Sequence, residues 1–412
     1  MIMKRTVLTN LQLLDGVAHG ILADQVLVIE DDKVAWVGPR GAWDQKTDPR
    51  DEVVDLQGMY VLPGLWDMHM HLDFRVHGQV GPSIAEDTMF SYRRALTLLH
   101  SGVTSLSLPG SANGIDFALR DGIERGDYIG PRILTAGEGI TSTGGHGSID
   151  GKGCDGPYEF RRAARQVVSR GADLVKIMVT GGIMGRHEAS DAPQTMPDEV
   201  QAVVEVAHNW GKHVSGHIAS SEAAIMCAEL GVDTIEHGYF LDENAIQVMK
   251  KCGSAYIPTL GVTSSPDYWK EIGAPDWAVE KVKRAAITHR RAVEMAMEAG
   301  LTIALGSDLP TAHVNGTIGI VNEMEALAQL GASPETIIHW ATQVPAQICG
   351  LGHKVGTLEQ GKQADLIAVP KNPYESVSNL RNVSFVMTRG TIVRDDITST
   401  RRPSLLAGHF EG

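Results

Sequence analysis

The stretch "WDMHMHLDF" at 66–74 sets two histidines two residues apart in an otherwise apolar run, directly after "VLPGL". Extended backbone sends alternate side chains to opposite faces. Asp67, His69 and His71 therefore share one face, and Trp66, Met68 and Met70 the other. Two imidazoles with a carboxylate behind them can converge on one cation; hydrogen-bonded core histidines are the ordinary alternative. Four more polar residues stand at the ends of apolar runs: Lys176 in "DLVKIMVTGG", His217 in "VSGHIAS", His237 in "TIEHGYF" and Asp308 in "IALGSDLP". Singly, each has a plain explanation. A lysine can lay its stem along apolar surface, a histidine can sit in a polar loop, and an aspartate can cap a helix. Together, imidazole nitrogens and carboxylate oxygens suit Zn²⁺, and less specifically Mn²⁺, Fe²⁺ or Ni²⁺. An ammonium has no lone pair for a metal. A buried lysine of lowered pKa can instead react with CO₂, and the carbamate so formed is anionic and able to bridge two cations. Lys176 is the candidate for that bridge.

Positioning these groups falls to two kinds of element. Residues 1–62 read as short strands, "TVLTNLQLLDG", "QVLVIEDDKVAWVG" and "EVVDLQGMYVLPG", with "EDDK" as a hairpin turn. The C-terminal part, 354–412, resumes the style in "VGTLEQGKQADLIAVP" and "VSFVMTRGTIVRDD". Neither half has enough strands to close a core alone, so the two ends are expected to share one small β-sandwich domain. Between them, 63–353 alternates short apolar strands with helices. Each helical stretch, such as "PDEVQAVVEVAHNWG" or "DENAIQVMKKCG", begins near an N-cap candidate or ends in glycine. Counting "VLPGLWDMHMH" as the first gives eight strand candidates, which predicts an α/β fold with a (β/α)8 TIM barrel. A doubly wound open sheet is the competing arrangement, but no G-x-G-x-x-G follows the first strand. Glycine-rich runs such as "PGSANG" and "GGHGSIDGKGCDG" fall at the presumed C-terminal ends of strands, the face on which barrels carry their sites.

Composition narrows the partners. The 412 residues are 43% apolar and 21% charged, as in ordinary globular proteins, and carry a formal charge of −14. An acidic surface argues against nucleic acid or an anionic membrane as the main partner and leaves a small-molecule substrate open. Cys154, Cys227, Cys252 and Cys349 are far apart with no C-x-x-C pair, which suggests free thiols in a reducing compartment. No signal-peptide pattern opens the sequence, and no segment approaches the roughly 20 apolar residues of a membrane span, so a cytoplasmic location is expected. No G-x-S-x-G elbow is present, which disfavours a serine hydrolase.

The set "DMHMH", the lysine of the fourth strand, "GHI", "EHG" and "GSD", with "GTLEQGKQADLIAV" near the end, resembles the amidohydrolase superfamily. "VKIMVTGGIMG", "IEHGYFLDENAIQVMKKCGSAYIPTL" and "AGLTIALGSD" bring it nearer the branch of Xaa-Pro dipeptidases (prolidases) and imidazolonepropionase-related hydrolases. The resemblance spans essentially the whole chain. It implies a binuclear site: His69, His71 and Asp308 on the more buried cation, His217 and His237 on the more exposed one, and carbamylated Lys176 between them. It implies a hydroxide shared by the two ions, with Asp308 orienting it, taking its proton and delivering that proton to the leaving amine. It further implies that His146, in "TGGHGS", helps stabilise an oxyanion and that Tyr239 faces the substrate. A solvated loop histidine and a core tyrosine are the competing readings. Relatives show a Pro-His-Gly-like turn where this chain has Ala312, His313 and Val314, so a substrate role for His313 is left open. The family's "GTD" is "GSD" here, which keeps a hydroxyl.

The expected activity is hydrolysis of an acyclic amide in a small carboxylate-bearing molecule, an Xaa-Pro-like dipeptide or an N-acyl amino acid. Xenobiotic amides or ureas, of mycotoxin or aryl-urea type, are the neighbouring alternative. Ring opening of the imidazolonepropionase kind usually uses one metal and no bridging lysine, so Lys176 speaks against it. A non-catalytic scaffold would have lost ligands, and all six positions are filled. Two Zn²⁺ ions and a homo-oligomer are the implied cofactor and assembly. The segment 261–284, with Tyr268, Trp269 and Trp277, is expected to be either a lid or an oligomer contact.

Overall fold

The structure is a computed structural model that describes residues 5–43, 48–74, 81, 83–148, 152–308 and 319–397. The chain divides into two compact units, one of Met1–Trp66, Ala95–Ser105 and Asn315–Gly412, the other of Asp67–Arg94 and Leu106–Val314.

In the first unit, strands from both ends of the chain make one seven-stranded sheet. The strands are β1 (Arg5–Leu13), β2 (Leu22–Glu30), β3 (Lys33–Pro39), β4 (Glu52–Pro63), and, after the barrel strands β5–β11 described next, β12 (Leu366–Val369), β13 (Phe385–Thr388) and β14 (Thr391–Asp395). Their order is β14-β13-β12-β4-β1-β2-β3. β1 and β4 run parallel, and every other neighbouring pair is antiparallel. The predicted hairpin turn lies between β2 and β3, with Glu30 opposite Lys33 and Asp31 at φ 52°. The two ends of the chain meet where Leu366 pairs with Pro63 and Ile367 with Leu62. Their burial explains the union: Leu8, Leu27 and Val61 from one end pack with Leu366, Phe385 and Met387 from the other in one apolar cluster. Removing such side chains from water is the main gain either half obtains from the other.

The barrel strands are β5 (Leu65–Asp67), β6 (Val103–Leu108), β7 (Arg132–Thr135), β8 (Leu174–Met178), β9 (His213–Ser220), β10 (Thr234–Phe240) and β11 (Ala255–Ile257). They fall in the two ordered sets β5-β6-β7 and β8-β9-β10-β11, the second parallel throughout. β7 and β8 are joined by Asp173 N–H to the Thr135 carbonyl at 2.8 Å and by reciprocal bonds between Ile140 and the Lys176–Met178 stretch. The eighth position belongs to an extended segment at 302–308. It bonds β11 through Tyr256 and the first-strand end through Met68 N–H to Leu305 O (2.8 Å) and Asp308 N–H to His69 O (2.7 Å). The chain thus has a (β/α)8 TIM barrel and a small β domain built from both termini.

The helices follow their sequence signals. Glu243–Cys252 is capped by Asp242, whose carboxylate accepts from Ala245 N–H at 2.8 Å, and stops at Gly253, φ 83°. The segment 261–284 folds as two short helices, Gly261–Ser264 and Pro266–Glu271, followed by the start of the long helix Asp276–Ala299. Trp269 is buried there with Tyr239, Ile183 and Val279, and Trp277 packs against the same cluster. Among the described residues no helix is long and apolar enough to cross a membrane.

One close approach couples the barrel wall to the histidine pair. A Cβ added at Gly306 would stand 2.7 Å from His69 Cβ and 2.8 Å from Ile257 Cγ2. Gly306→Ala should therefore destabilise the protein by about 1–3 kcal/mol, the usual cost of overpacking. Urea unfolding should show a lower midpoint with an unchanged slope; an unmoved midpoint would mean that this strand contact is looser than the distances imply.

Candidate metal centre

The end of β5 supplies the first group. Asp67 is fully buried and accepts from His69 N–H (3.2 Å), Ser307 N–H (2.9 Å) and the Ser307 hydroxyl. It binds the first strand end to the eighth, and burial pushes its pKa up to about 7. His69 and His71 lie just beyond the strand, with ring centroids 5.4 Å apart. His69 Nε2 is 3.4 Å, and His71 Nε2 3.6 Å, from Asp308 Oδ1. Asp308 reaches inward from a left-handed backbone, φ 50°, that most residues avoid. Burial pushes its carboxyl up to about 6, against the pull of His71 and Lys176. His69, His71 and Asp308 thus form one group whose donor atoms all lie within 4.8 Å of one another.

A second group of the same span is His69, Glu236 and His237. Glu236 is 1% exposed. Its Oε1 accepts from the Ser215 hydroxyl, its Oε2 accepts from Lys176 Nζ, and Oε2 lies 3.0 Å from His69 Nδ1. Lys176 is itself buried, and burial pushes its pKa down to about 7 while Asp308 pulls it up. His217 joins neither group, but its ring centroid is 4.4 Å from that of His237. Burial pushes His69, His217 and His237 well below the usual histidine pKa, so all three are neutral imidazoles with a lone pair to give.

At the centre one ring nitrogen, His237 Nε2, is buried without a hydrogen-bond partner, while His69 Nδ1 faces Glu236 Oε2. A buried polar atom left unmatched costs about 1–3 kcal/mol. Neutral imidazoles, an unmatched nitrogen and nearby carboxylates are together the surroundings a divalent cation requires, so the residues present fit one.

The remaining candidates divide. His146 is brought to the site: its ring stacks on His217 at 4.2 Å, and its Nδ1 is 2.8 Å from Glu188 Oε2. Tyr239 is 2% exposed; its ring lies 5.4 Å from His237 but inside the apolar cluster with Ile183 and Trp269. His313 lies outside the described residues, as does the Tyr268 side chain.

The spacing of motifs did not pick out Glu236, Glu188 or Thr259, whose Oγ1 is 2.8 Å from His237 Nδ1. Strict alternation on β10 would turn Glu236 and His237 to opposite faces. His237 instead takes φ 70°, the pairing with β9 slips after it, and both side chains reach the centre. The adjacent acid in "IEHG" was the available signal.

Residues 60–393 match the amidohydrolase family. Among solved structures, a Xaa-Pro dipeptidase with methionine bound in its active site is similar at a TM-score of 0.87 and 30% identity, over 95% of this chain and 100% of that one. A prolidase complexed with N-methylphosphonate-L-proline gives 0.84 and 27%, over 95% and 100%. Ochratoxinase of Aspergillus niger is 28% identical over 395 residues, 86% of this chain and 79% of that protein.

Behind the centre, His289 is fully buried, with Nδ1 2.7 Å from Thr263 Oγ1 and its ring edge-on to Tyr239. Burial pushes its pKa down to about 3. Between that value and the ordinary ~6.5, the unfolded chain holds a proton that the folded chain does not. The stability is complete above the upper value and is lost as pH falls through the window. For metal-stripped protein, His289→Leu should flatten the pH dependence of unfolding free energy between pH 6 and 5 by about 1.4 kcal/mol per pH unit. Equal slopes of unfolding free energy against pH for the two proteins, measured by urea titration at each pH, would contradict this.

Proposed function

The chain belongs to the amidohydrolase family, and from that premise we propose that it is a binuclear metal-dependent hydrolase of a small carboxylate-bearing amide. Its substrate class is an Xaa-Pro-like dipeptide or an N-acyl amino acid. The observation that carries this reading is the convergence of His69, His71 and Asp308 beside His237, His217 and Lys176, with His237 Nε2 buried and unmatched. The likeness to a prolidase bound to a proline phosphonate supports the substrate class.

In this reading His69, His71 and Asp308 hold one cation, His217 and His237 the other, and Lys176 spans both as a carbamate. The donor set favours Zn²⁺. Such cations, when bound, lower the pKa of water toward ~7 and polarise a carbonyl. The protein's own groups then manage the protons. Asp308 accepts the proton of the attacking water at its carboxylate and passes it to the departing amine as the C–N bond breaks. His146 donates Nδ1–H to Glu188, and as an imidazolium paired with that carboxylate it would donate Nε2–H to the carbonyl oxygen. The lowered pKa of Lys176 supplies the neutral amine that CO₂ requires.

The ochratoxinase similarity favours a second reading, hydrolysis of a xenobiotic aryl amide by the same chemistry. Zinc-loaded protein should be offered Xaa-Pro dipeptides, N-acyl amino acids and ochratoxin-type amides, with released amine measured. Turnover of the first two classes supports the proposal, turnover of the last alone favours the second reading, and no turnover by protein holding two cations defeats both.

Two variants test the roles. Asp308→Asn should lower kcat by at least about 10²–10⁴-fold, the scale of general acid–base catalysis, with the circular dichroism spectrum retained; near-normal kcat would remove Asp308 from the mechanism. Lys176→Ala should lose the carbamate mass and bind fewer cations per chain, and short carboxylic acids should restore part of the activity. Full cation binding by Lys176→Ala would exclude the bridge.

A further inference from the structure

We propose that Thr259 is a positioning residue whose hydroxyl fixes the tautomer of His237, so that Nε2 of that ring is presented to a cation. The inference rests on the two-cation reading above and concerns the residue behind one of its ligands.

Thr259 stands two residues past β11, is fully buried and has φ 49°. A β-branched residue is strongly disfavoured there, whereas glycine adopts that backbone freely. The position therefore carries threonine in spite of its backbone. What threonine adds over glycine is a β-carbon, a methyl group and a hydroxyl, and of these the hydroxyl oxygen Oγ1 lies 2.8 Å from His237 Nδ1. Asp308 Oδ2 is 4.0 Å from that nitrogen, beyond hydrogen-bond range.

The direction of this bond decides what the far side of the ring can do. If Nδ1–H donates to Oγ1, Nε2 keeps its lone pair. If the hydroxyl donates instead, Nε2 carries a proton in a buried position with no acceptor. The second arrangement leaves a buried donor unsatisfied and the first does not once a cation is present. His71 follows the same pattern: its Nδ1 is 2.9 Å from the Gly110 carbonyl, which can only accept, so Nε2 again faces the centre. The His237 backbone is held as well, with Tyr256 donating its hydroxyl to the His237 carbonyl at 2.9 Å. Ring and main chain are fixed from behind while the rings of His69 and His217 stand 4.8 and 4.4 Å away. Partners of this kind set ligand orientation and basicity, and their loss typically weakens metal binding about 10–100-fold.

The test uses full-length protein stripped of metal, titrated with Zn²⁺ against a competing chelator, with bound metal counted by mass spectrometry. Thr259→Val keeps the shape and removes the hydroxyl. It should bind one cation as the wild type does and the second about 10–100-fold more weakly. Thr259→Ser retains the hydroxyl and should restore the second affinity to within about threefold of wild type. Thr259→Gly should match the valine variant in metal binding, and its stripped form should keep the wild-type circular dichroism spectrum and a cooperative melt, because glycine accepts this backbone. That combination separates a lost ligand partner from a damaged fold. Equal second-site affinity in wild type, Thr259→Val and Thr259→Gly would overturn the inference while leaving the two-cation reading intact. A wild-type chain that binds no zinc would overturn the two-cation reading itself, and this inference with it.

Discussion

Burying neutral imidazoles beside carboxylates and a lysine is the constraint on which the rest of this molecule turns. Water would solvate each of these groups well, and the barrel interior does not. His69, Lys176, Glu236 and His237 are all at most 2% exposed, so each must be answered by another group of the same cluster. Glu236 answers Ser215 and Lys176, and Asp67 answers Ser307 and the His69 backbone. The nitrogen left over, His237 Nε2, is where the proposed cation would complete the network.

That arrangement uses unfavourable backbone to bring the side chains in. His237, Thr259 and Asp308 all have positive φ: His237 lies within β10, Thr259 just past β11, and Asp308 at the end of the extended segment 302–308. Left-handed conformations in non-glycine residues persist where surrounding packing over-determines them, and they cluster at functional sites. Here the hold is visible. Asp308 N–H bonds the His69 carbonyl, Tyr256 bonds the His237 carbonyl, and Val262 N–H bonds the Thr259 carbonyl.

The wall around His146 is fixed from the long helix Asp276–Ala299. Lys281 Nζ donates to the carbonyls of Gly182, Gly185 and Glu188, and Arg284 pairs with Asp191. Glu188 in turn holds both His146 Nδ1 and Gly182 N–H. The segment 261–284 therefore packs as part of the wall beside the site, through Trp269 in the cluster with Tyr239 and through Lys281 on the loop. A lysine with three carbonyl acceptors gives this glycine-bearing loop one defined shape.

Local features of the sequence were sufficient for much of this. Alternation put Asp67, His69 and His71 on one face, Asp242 and Gly253 marked their helix, and eight apolar runs announced a barrel, because each signal acts within a few residues of itself. The residue types at 69, 71, 176, 217, 237 and 308 carried the donor chemistry, and the family resemblance gave them their grouping. Glu236, Glu188 and Thr259 were beyond reach. Glu236 enters because a left-handed residue follows it, while Thr259 and Glu188 matter only for which ring nitrogen they face from 22 and 42 positions away along the chain. Sequence determined which atoms this protein has to offer a cation; closure of the barrel decided which nitrogen of each ring is free to accept one, since that depends on partners brought together only by long-range strand pairing.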